Sequence, residues 1–215
     1  ALALFKAVIA KNEAGVHLPL HGTCMGFELL NILAADNSSV LECCFNSEDY
    51  SIPLDFTPAA ASSLMFVTAP ANVVEILRTQ NVTSNLHHSG VTPQTYESNK
   101  RLSSFFQVLS TNQDRNGRAF VSTVRAYNYP IRATQWHPER PAYEWNPQLN
   151  LNHSADAVEA MAWMSKFFVG EARLNNQTFY DSPYALAVVE QFSTYSMPRL
   201  NMGSSVMDGY YALMF

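Results

Sequence analysis

Gly22-Thr23-Cys24-Met25-Gly26 decides how this chain is read. The apolar run His17-Leu18-Pro19-Leu20 leads into it, and Phe27-Glu28-Leu29-Leu30-Asn31-Ile32-Leu33 follows with helical spacing. A strand, a tight turn between two glycines and a helix together make a nucleophile elbow. Glycines allow the tight turn and clear space around a thiol held in a strained conformation. The helix aims its N-terminus at the sulfur, and the partial positive charge there favours thiolate. That help matters, because a free thiol with a pKa of about 8.5 is only about 3% thiolate at pH 7.

A partner for the thiol lies far downstream, in Gln135-Trp136-His137-Pro138-Glu139. His137 ends the apolar strand Ile131 to Trp136, which puts it at the sheet edge where ligands bind. Pro138 keeps the chain extended, so the period of two brings Glu139 to the same side as His137. A carboxylate there holds the imidazole tautomer and stabilises the imidazolium. Taken alone, His137-Pro138-Glu139 reads as a strand-end turn with solvated charges. With the cysteine elbow upstream it reads as a base and its orienting acid, the set that acyl transfer needs.

The bulk properties narrow the remaining options. The chain has 215 residues, 47% hydrophobic and 14% charged. That suits one globular domain, 1–215, with a sizeable core. The net charge of -5 and the lack of a basic run argue against a nucleic-acid partner. The longest apolar stretches are too short for a membrane span. Ala1 to Ala10 carries Lys6 and reads as an amphipathic helix, not a signal segment. Three cysteines make no disulfide framework. Cys43 and Cys44 fall in a strand-like run and read as buried small hydrophobes pointing to opposite faces. No CxxC or HExxH occurs, so neither a metal nor a cofactor is expected. Four Asn-x-Ser/Thr triplets, at Asn37, Asn81, Asn152 and Asn176, are candidate glycosylation sites and favour a secretory or lysosomal route.

Along the chain, helices are expected at Ala1 to Asn12, Met25 to Leu33, Pro70 to Arg78 and Ser154 to Arg173. Ser154 serves the last as N-cap, and Ala157, Met161, Met164, Phe167 and Phe168 form its buried stripe. Strands are expected at His17 to Thr23, Val40 to Phe45, Tyr50 to Leu54, Phe105 to Leu109, Ala119 to Arg125 and Ile131 to Trp136. Asn116-Gly117 marks a hairpin. Leu86 to Gly90 reads as a loop, and the apolar tail from Gly203 to Phe215 as a last strand.

These motifs resemble the gamma-glutamyl hydrolase family of the class I glutamine amidotransferase superfamily. The resemblance rests on Gly22 to Glu28 and on Tyr129-Pro130-Ile131-Arg132-Ala133-Thr134-Gln135-Trp136-His137-Pro138-Glu139 with Tyr143-Glu144-Trp145. Asn85-Leu86-His87, Phe105 to Asn112 and Phe167 to Arg173 match as well, so it covers nearly the whole chain. It implies an α/β fold of three layers, α/β/α, with a mostly parallel central sheet. It implies hydrolysis of gamma-glutamyl bonds in folate poly-gamma-glutamates through an acyl-enzyme on Cys24, with His137 as base and proton donor and Glu139 behind it. His87 matches a histidine that the family needs for activity; from the residues alone His88 is equally eligible. The Met25 N–H is the expected oxyanion donor. Glu28 either meets the substrate's amino group or is structural.

Glutamine-using amidotransferases usually carry Gln where Glu28 stands, which disfavours an amidotransferase domain feeding a synthase. The resemblance also implies a further third ahead of residue 1. That part supplies the first strands and a glycine-rich loop with the second oxyanion N–H. The expected partner is therefore an N-terminal fragment of the same precursor, or another chain on that side, with a homodimer also possible. The alternative is a catalytically weak homologue with a structural or binding role. The resemblance and the triplets together imply a lysosomal, vacuolar or extracellular location.

Overall fold

The computed structural model describes residues 1–177 and the strands 194–197, 201–202, 205–206 and 210–213. Where the sequence reads as one domain, the residues gather into two compact units. One is Ala1–Tyr143 with Gln148–Asn175, the other Glu144–Pro147 with Asn176–Phe215.

The first unit alternates helices and strands. In order they are α1 Leu2–Glu13, β1 Leu20–Thr23, α2 Met25–Ala35, β2 Ser47–Ile52, β3 Asp55–Phe56, α3 Leu64–Val67, α4 Ala71–Thr79, β4 Thr83–His87, α5 Pro93–Ser98, α6 Lys100–Phe105, β5 Phe106–Gln113, β6 Ala119–Ala126, β7 Ile131–Thr134, α7 Arg140–Tyr143 and α8 Ala155–Ala172. Five strands form one sheet in the order β1-β7-β6-β5-β3, and β2 pairs with β4 beside it.

Helices cover both faces of that sheet. On one face Phe5 and Val8 of α1 and Phe27 and Leu30 of α2 pack with Val121, Val124, Ile131 and Ala133. On the other, Val73 and Leu77 of α4 and Ala157, Met161 and Met164 of α8 pack with Leu109 and Trp136. The period of two divides β7 between them. Ile131 and Ala133 enter the first cluster, while Arg132 faces α8 and pairs with Glu171 at 3.1 Å. The three-layer α/β arrangement is the expected one.

The expected sheet direction needs a correction among the described pairs. Only β1–β7 is parallel, while β7–β6, β6–β5 and β5–β3 are antiparallel. The connections 114–118 and 127–130 are too short for the crossover that parallel neighbours require. Gly117, at φ 80, turns the first of them, as Asn116-Gly117 predicts. The parallel pair is the one that carries Cys24 and leads to His137.

Other segments depart from the sequence reading for local reasons. Val40 to Phe45 is no strand. Asn37 caps the 3-10 turn Ser38–Val40, Cys44 takes φ 73, and both Cys43 and Cys44 are exposed rather than buried. A left-handed residue breaks a strand, and the opposite-faces reading goes with it. Leu86 and His87 end β4 instead of lying in a loop. The first strand starts only at Leu20, since Pro19 has no N–H to donate. Ser154 does cap α8, accepting from the Ala157 N–H at 3.2 Å. Phe168, however, turns to the surface and stacks near His21 at 5.8 Å. In the second unit, β8 Thr194–Met197 pairs antiparallel with β11 Tyr210–Leu213, and β9 Asn201–Met202 with β10 Ser205–Val206. The expected tail strand thus exists at Tyr210–Leu213, while the rest of that tail lies outside the described residues.

Candidate active site

Cys24 is the turn between β1 and α2. Its backbone sits at φ 52, ψ -107, a region that costs a non-glycine residue about 1–3 kcal/mol. Packing enforces the turn from both sides. The Cys24 N–H donates to Thr134 O at 2.8 Å, anchoring it to β7. At Gly22 a Cβ would lie 2.6 Å from Gly26 O and 2.7 Å from Leu30 Cδ1, so only glycine lets α2 pack this close. Gly26 is different: a Cβ there meets nothing within 4 Å. Of the two flanking glycines, Gly22 alone is sterically required.

β4 and the stretch after β7 converge on the thiol. The His137 N–H donates to Ser84 O at 2.9 Å, tying the two segments together. Leu86 O then lies 3.9 Å from Cys24 Sγ. His137 Nδ1 lies 2.5 Å from Glu139 Oε1, and the imidazole interacts electrostatically with Cys24 as well. Burial lowers the His137 pKa. Its interactions with Glu139 and Cys24 outweigh it and leave it raised to about 9. His137 is therefore an imidazolium at neutral pH, a cationic partner for the sulfur. Burial raises the Glu139 pKa, but the His137 bond and charge prevail and hold it below the usual carboxylate range.

His87 is the histidine that reaches this site. His88 is exposed and turns to Glu48 at 3.5 Å. The His87 ring packs edge-on to Phe120, 4.8 Å between centroids. Its Nδ1 donates to Ser89 O at 2.8 Å, leaving Nε2 a buried acceptor without a hydrogen-bond partner. Burial, helped by the positive charge of His137, lowers its pKa to about 4, so the ring is neutral. Two neighbouring histidines thus hold opposite protonation states.

Glu28, in the first turn of α2, meets Gln135 Nε2 at 3.2 Å, and burial raises its pKa. Gln135 was not singled out by the sequence. It is fully buried, its Nε2 is also 4.0 Å from Cys24 Sγ, and its Oε1 has no hydrogen-bond partner. Only its place beside Trp136-His137 hints at this role. Met25 begins α2 and is 75% exposed. As the first helical residue its N–H finds no partner within the helix, and it stands beside the sulfur. A thiol, an imidazolium held by a carboxylate, a free N–H and a neutral imidazole acceptor together suit nucleophilic attack on a carbonyl.

The candidate glycosylation sites lie elsewhere. Asn37, Asn81 and Asn176 are exposed. Asn152 donates its Nδ2 to Asn81 O at 2.9 Å. Thr178 of the last triplet is outside the described residues. No group of metal-ligating side chains occurs among the described residues, and none of their helices is long and apolar enough to cross a membrane.

No family model matches the chain. Individual relatives do. Gamma-glutamyl hydrolase B of Dictyostelium discoideum is 41% identical over 174 residues, 81% of this chain and 50% of the relative. Gamma-glutamyl hydrolase 1 of Arabidopsis thaliana is 37% identical, over 79% of this chain and 49% of its own length. The human gamma-glutamyl hydrolase is 34% identical, over 90% and 60%. A solved structure from Thermoplasma acidophilum, described as a putative GMP synthase component, aligns over 77% of this chain and 65% of its own, with 12% identity and a TM-score of 0.39, too loosely to define a shared fold. The chain spans about half the length of the first two relatives, and over about four-fifths of its own length its similarity is to the gamma-glutamyl hydrolases.

Proposed function

We propose that this chain carries the catalytic machinery of a cysteine-dependent hydrolase that cuts gamma-glutamyl bonds, with folate poly-gamma-glutamates as substrates. The observation that carries this reading is the His137–Glu139 pair, 2.5 Å apart, on an imidazole whose charge Cys24 helps to sustain. The Cys24 thiolate, paired with the His137 imidazolium, attacks the gamma-carbonyl, and the Met25 N–H stabilises the oxyanion. His137 gives its proton to the leaving amine, and a thioester remains on Cys24. His137, now neutral, takes a proton from water, and the hydroxide cleaves the thioester. His87, neutral and open at Nε2, accepts a hydrogen bond from bound substrate. Glu28 receives the substrate's amino group, with Gln135 orienting its carboxylate.

The test is Cys24→Ala, assayed by release of glutamate from a pteroyl-gamma-glutamyl peptide while circular dichroism reports folding. Loss of release with folding intact supports the reading. Release that survives the substitution sinks it, and hydrolysis of free glutamine but not of the peptide points to an amidotransferase domain instead.

Two further parts of this reading concern surroundings. β1 is an edge strand of its sheet among the described residues, although it bears the nucleophile. An open edge takes a further strand readily. A second piece, from the same precursor or another chain, covers it and brings a second oxyanion N–H. Native mass spectrometry that finds only this chain, fully active, removes that partner. The protein works in a lysosome, a vacuole or outside the cell, with glycans on exposed Asn37 or Asn81. A mass unchanged by glycosidase removes the support for that location.

A further inference from the structure

Cys43 and Cys44 take no part in the site above, yet they are placed together and to solvent. Both are free and exposed. Extended neighbours point to opposite faces, but Cys44 at φ 73 turns the chain, and both adjacent thiols face solvent. The segment is clamped on either side. Glu42 and Gly90 exchange backbone hydrogen bonds of 2.8 and 2.9 Å, and the Phe45 N–H donates to His88 O at 2.9 Å. Arg118 grips the middle, reaching Cys43 O at 2.6 Å and the Glu42 carboxylate at 2.7 Å, while its guanidinium lies 4.0 Å over the Phe45 ring. Phe45 itself is fully buried. Consecutive in the chain and on a segment held at both ends, the two exposed thiols are confined to one short stretch, which raises their effective concentration.

We propose that Cys43 and Cys44 form a reversible dithiol–disulfide site that reacts with low-molecular-weight disulfides of the glutathione type. One cysteine thiolate attacks the small disulfide, whose S–S bond breaks and releases one thiolate. The mixed disulfide so formed is attacked by the neighbouring cysteine. A Cys43–Cys44 S–S bond forms and the second small thiolate leaves. The chain loses two electrons and two protons, and the small disulfide gains them as two thiols. Consecutive Cα atoms are about 3.8 Å apart across a trans peptide, closer than the usual span of a disulfide of about 4.4–6.8 Å. The bridge is therefore strained and easily reduced, which makes the site reversible rather than structural. The neighbouring Cys43 thiol pushes the Cys44 thiol up, so the reaction speeds up above neutral pH.

Glutathione disulfide added to the folded protein, followed by peptide mapping by mass spectrometry, tests this. The peptide holding both cysteines is expected to lose two hydrogens, carry no glutathione, and return to its starting mass with dithiothreitol. Cys44→Ser is expected to stop instead at a glutathione adduct on Cys43. Mapping follows the pair separately from Cys24, and Cys24→Ala repeats the result without the third thiol. Stable glutathione adducts on Cys43 or Cys44 in the unsubstituted pair, disulfide-linked dimers through either residue, or no reaction would each overturn the proposal.

Discussion

Glu139 Oε1 lies 2.5 Å from His137 Nδ1, two residues on through a bend, and Cys24 acts on the same imidazole. One carboxylate thus both orients the ring and sustains its charge. The His137 pKa, raised to about 9, means that its contribution to stability is fully present below its ordinary value of about 6.5 and is lost as pH rises through about 9. Glu139→Gln should bring the upper limit of that window down toward 6.5. It should also lower kcat by about 10²–10⁴-fold, through loss of the imidazolium and of its tautomer. The pH dependence of kcat and of the urea midpoint measures both.

His87 and His21 should make the fold acid-sensitive. Burial lowers each to about 4, so below pH about 6.5 the unfolded chain binds protons that the folded one refuses. Their contribution is intact above 6.5 and disappears as pH falls through about 4, on the order of 3 kcal/mol each at most. Urea midpoints measured at pH 7, 5.5 and 4 should fall steadily, and His21→Phe should flatten that fall.

The two elbow glycines should respond differently to alanine. Gly22→Ala forces a Cβ within 2.6 Å of Gly26 O and 2.7 Å of its carbon. Backbone cannot yield as a side-chain tip can, so destabilisation of about 3 kcal/mol is expected. Gly26→Ala meets open space and should leave the denaturation midpoint within about 0.5 kcal/mol of its starting value. If substrate passes over Gly26, the same substitution raises KM.

Gln135→Leu should separate the two uses of the Glu28 carboxylate. It removes the 3.2 Å bond to Glu28 Oε1 and leaves a half-buried acid without that donor. A rise in KM of about 10-fold with kcat nearly unchanged is expected if Glu28 serves ground-state binding. Glu28→Gln should raise KM similarly. A fall in stability with unchanged KM in both variants would make the pair structural.

Much of the site was legible because its determinants are local. The glycine-flanked cysteine turn follows from the steric needs of a few adjacent residues; Glu139 does meet His137, though through a bend at Pro138 and Glu139 and not along the extended chain the sequence suggests. Ser154 caps α8 for a similarly local reason. Contacts between distant segments were not legible. Nothing near Gln135 in the chain announces Glu28, and whether His87 or His88 turns inward depends on where β4 runs past Cys24. Sheet direction followed connection length more than strand composition, so the short links 114–118 and 127–130 made antiparallel neighbours.

The sequence by itself determined the elements that short-range sterics and periodicity control: the elbow, the main helices, the Asn116-Gly117 hairpin and the residue types of the site. Only the tertiary structure decided which titratable groups share an environment, and with it their charge. His87 is neutral and His137 positive because one imidazole is buried against Phe120 while the other meets a carboxylate and a thiol. It likewise turned Cys43 and Cys44 outward together. A strand pattern reads as alternate faces, but the conformation of Cys44 and the grip of Arg118 come from residues far along the chain, and a pattern of neighbours contains no record of those.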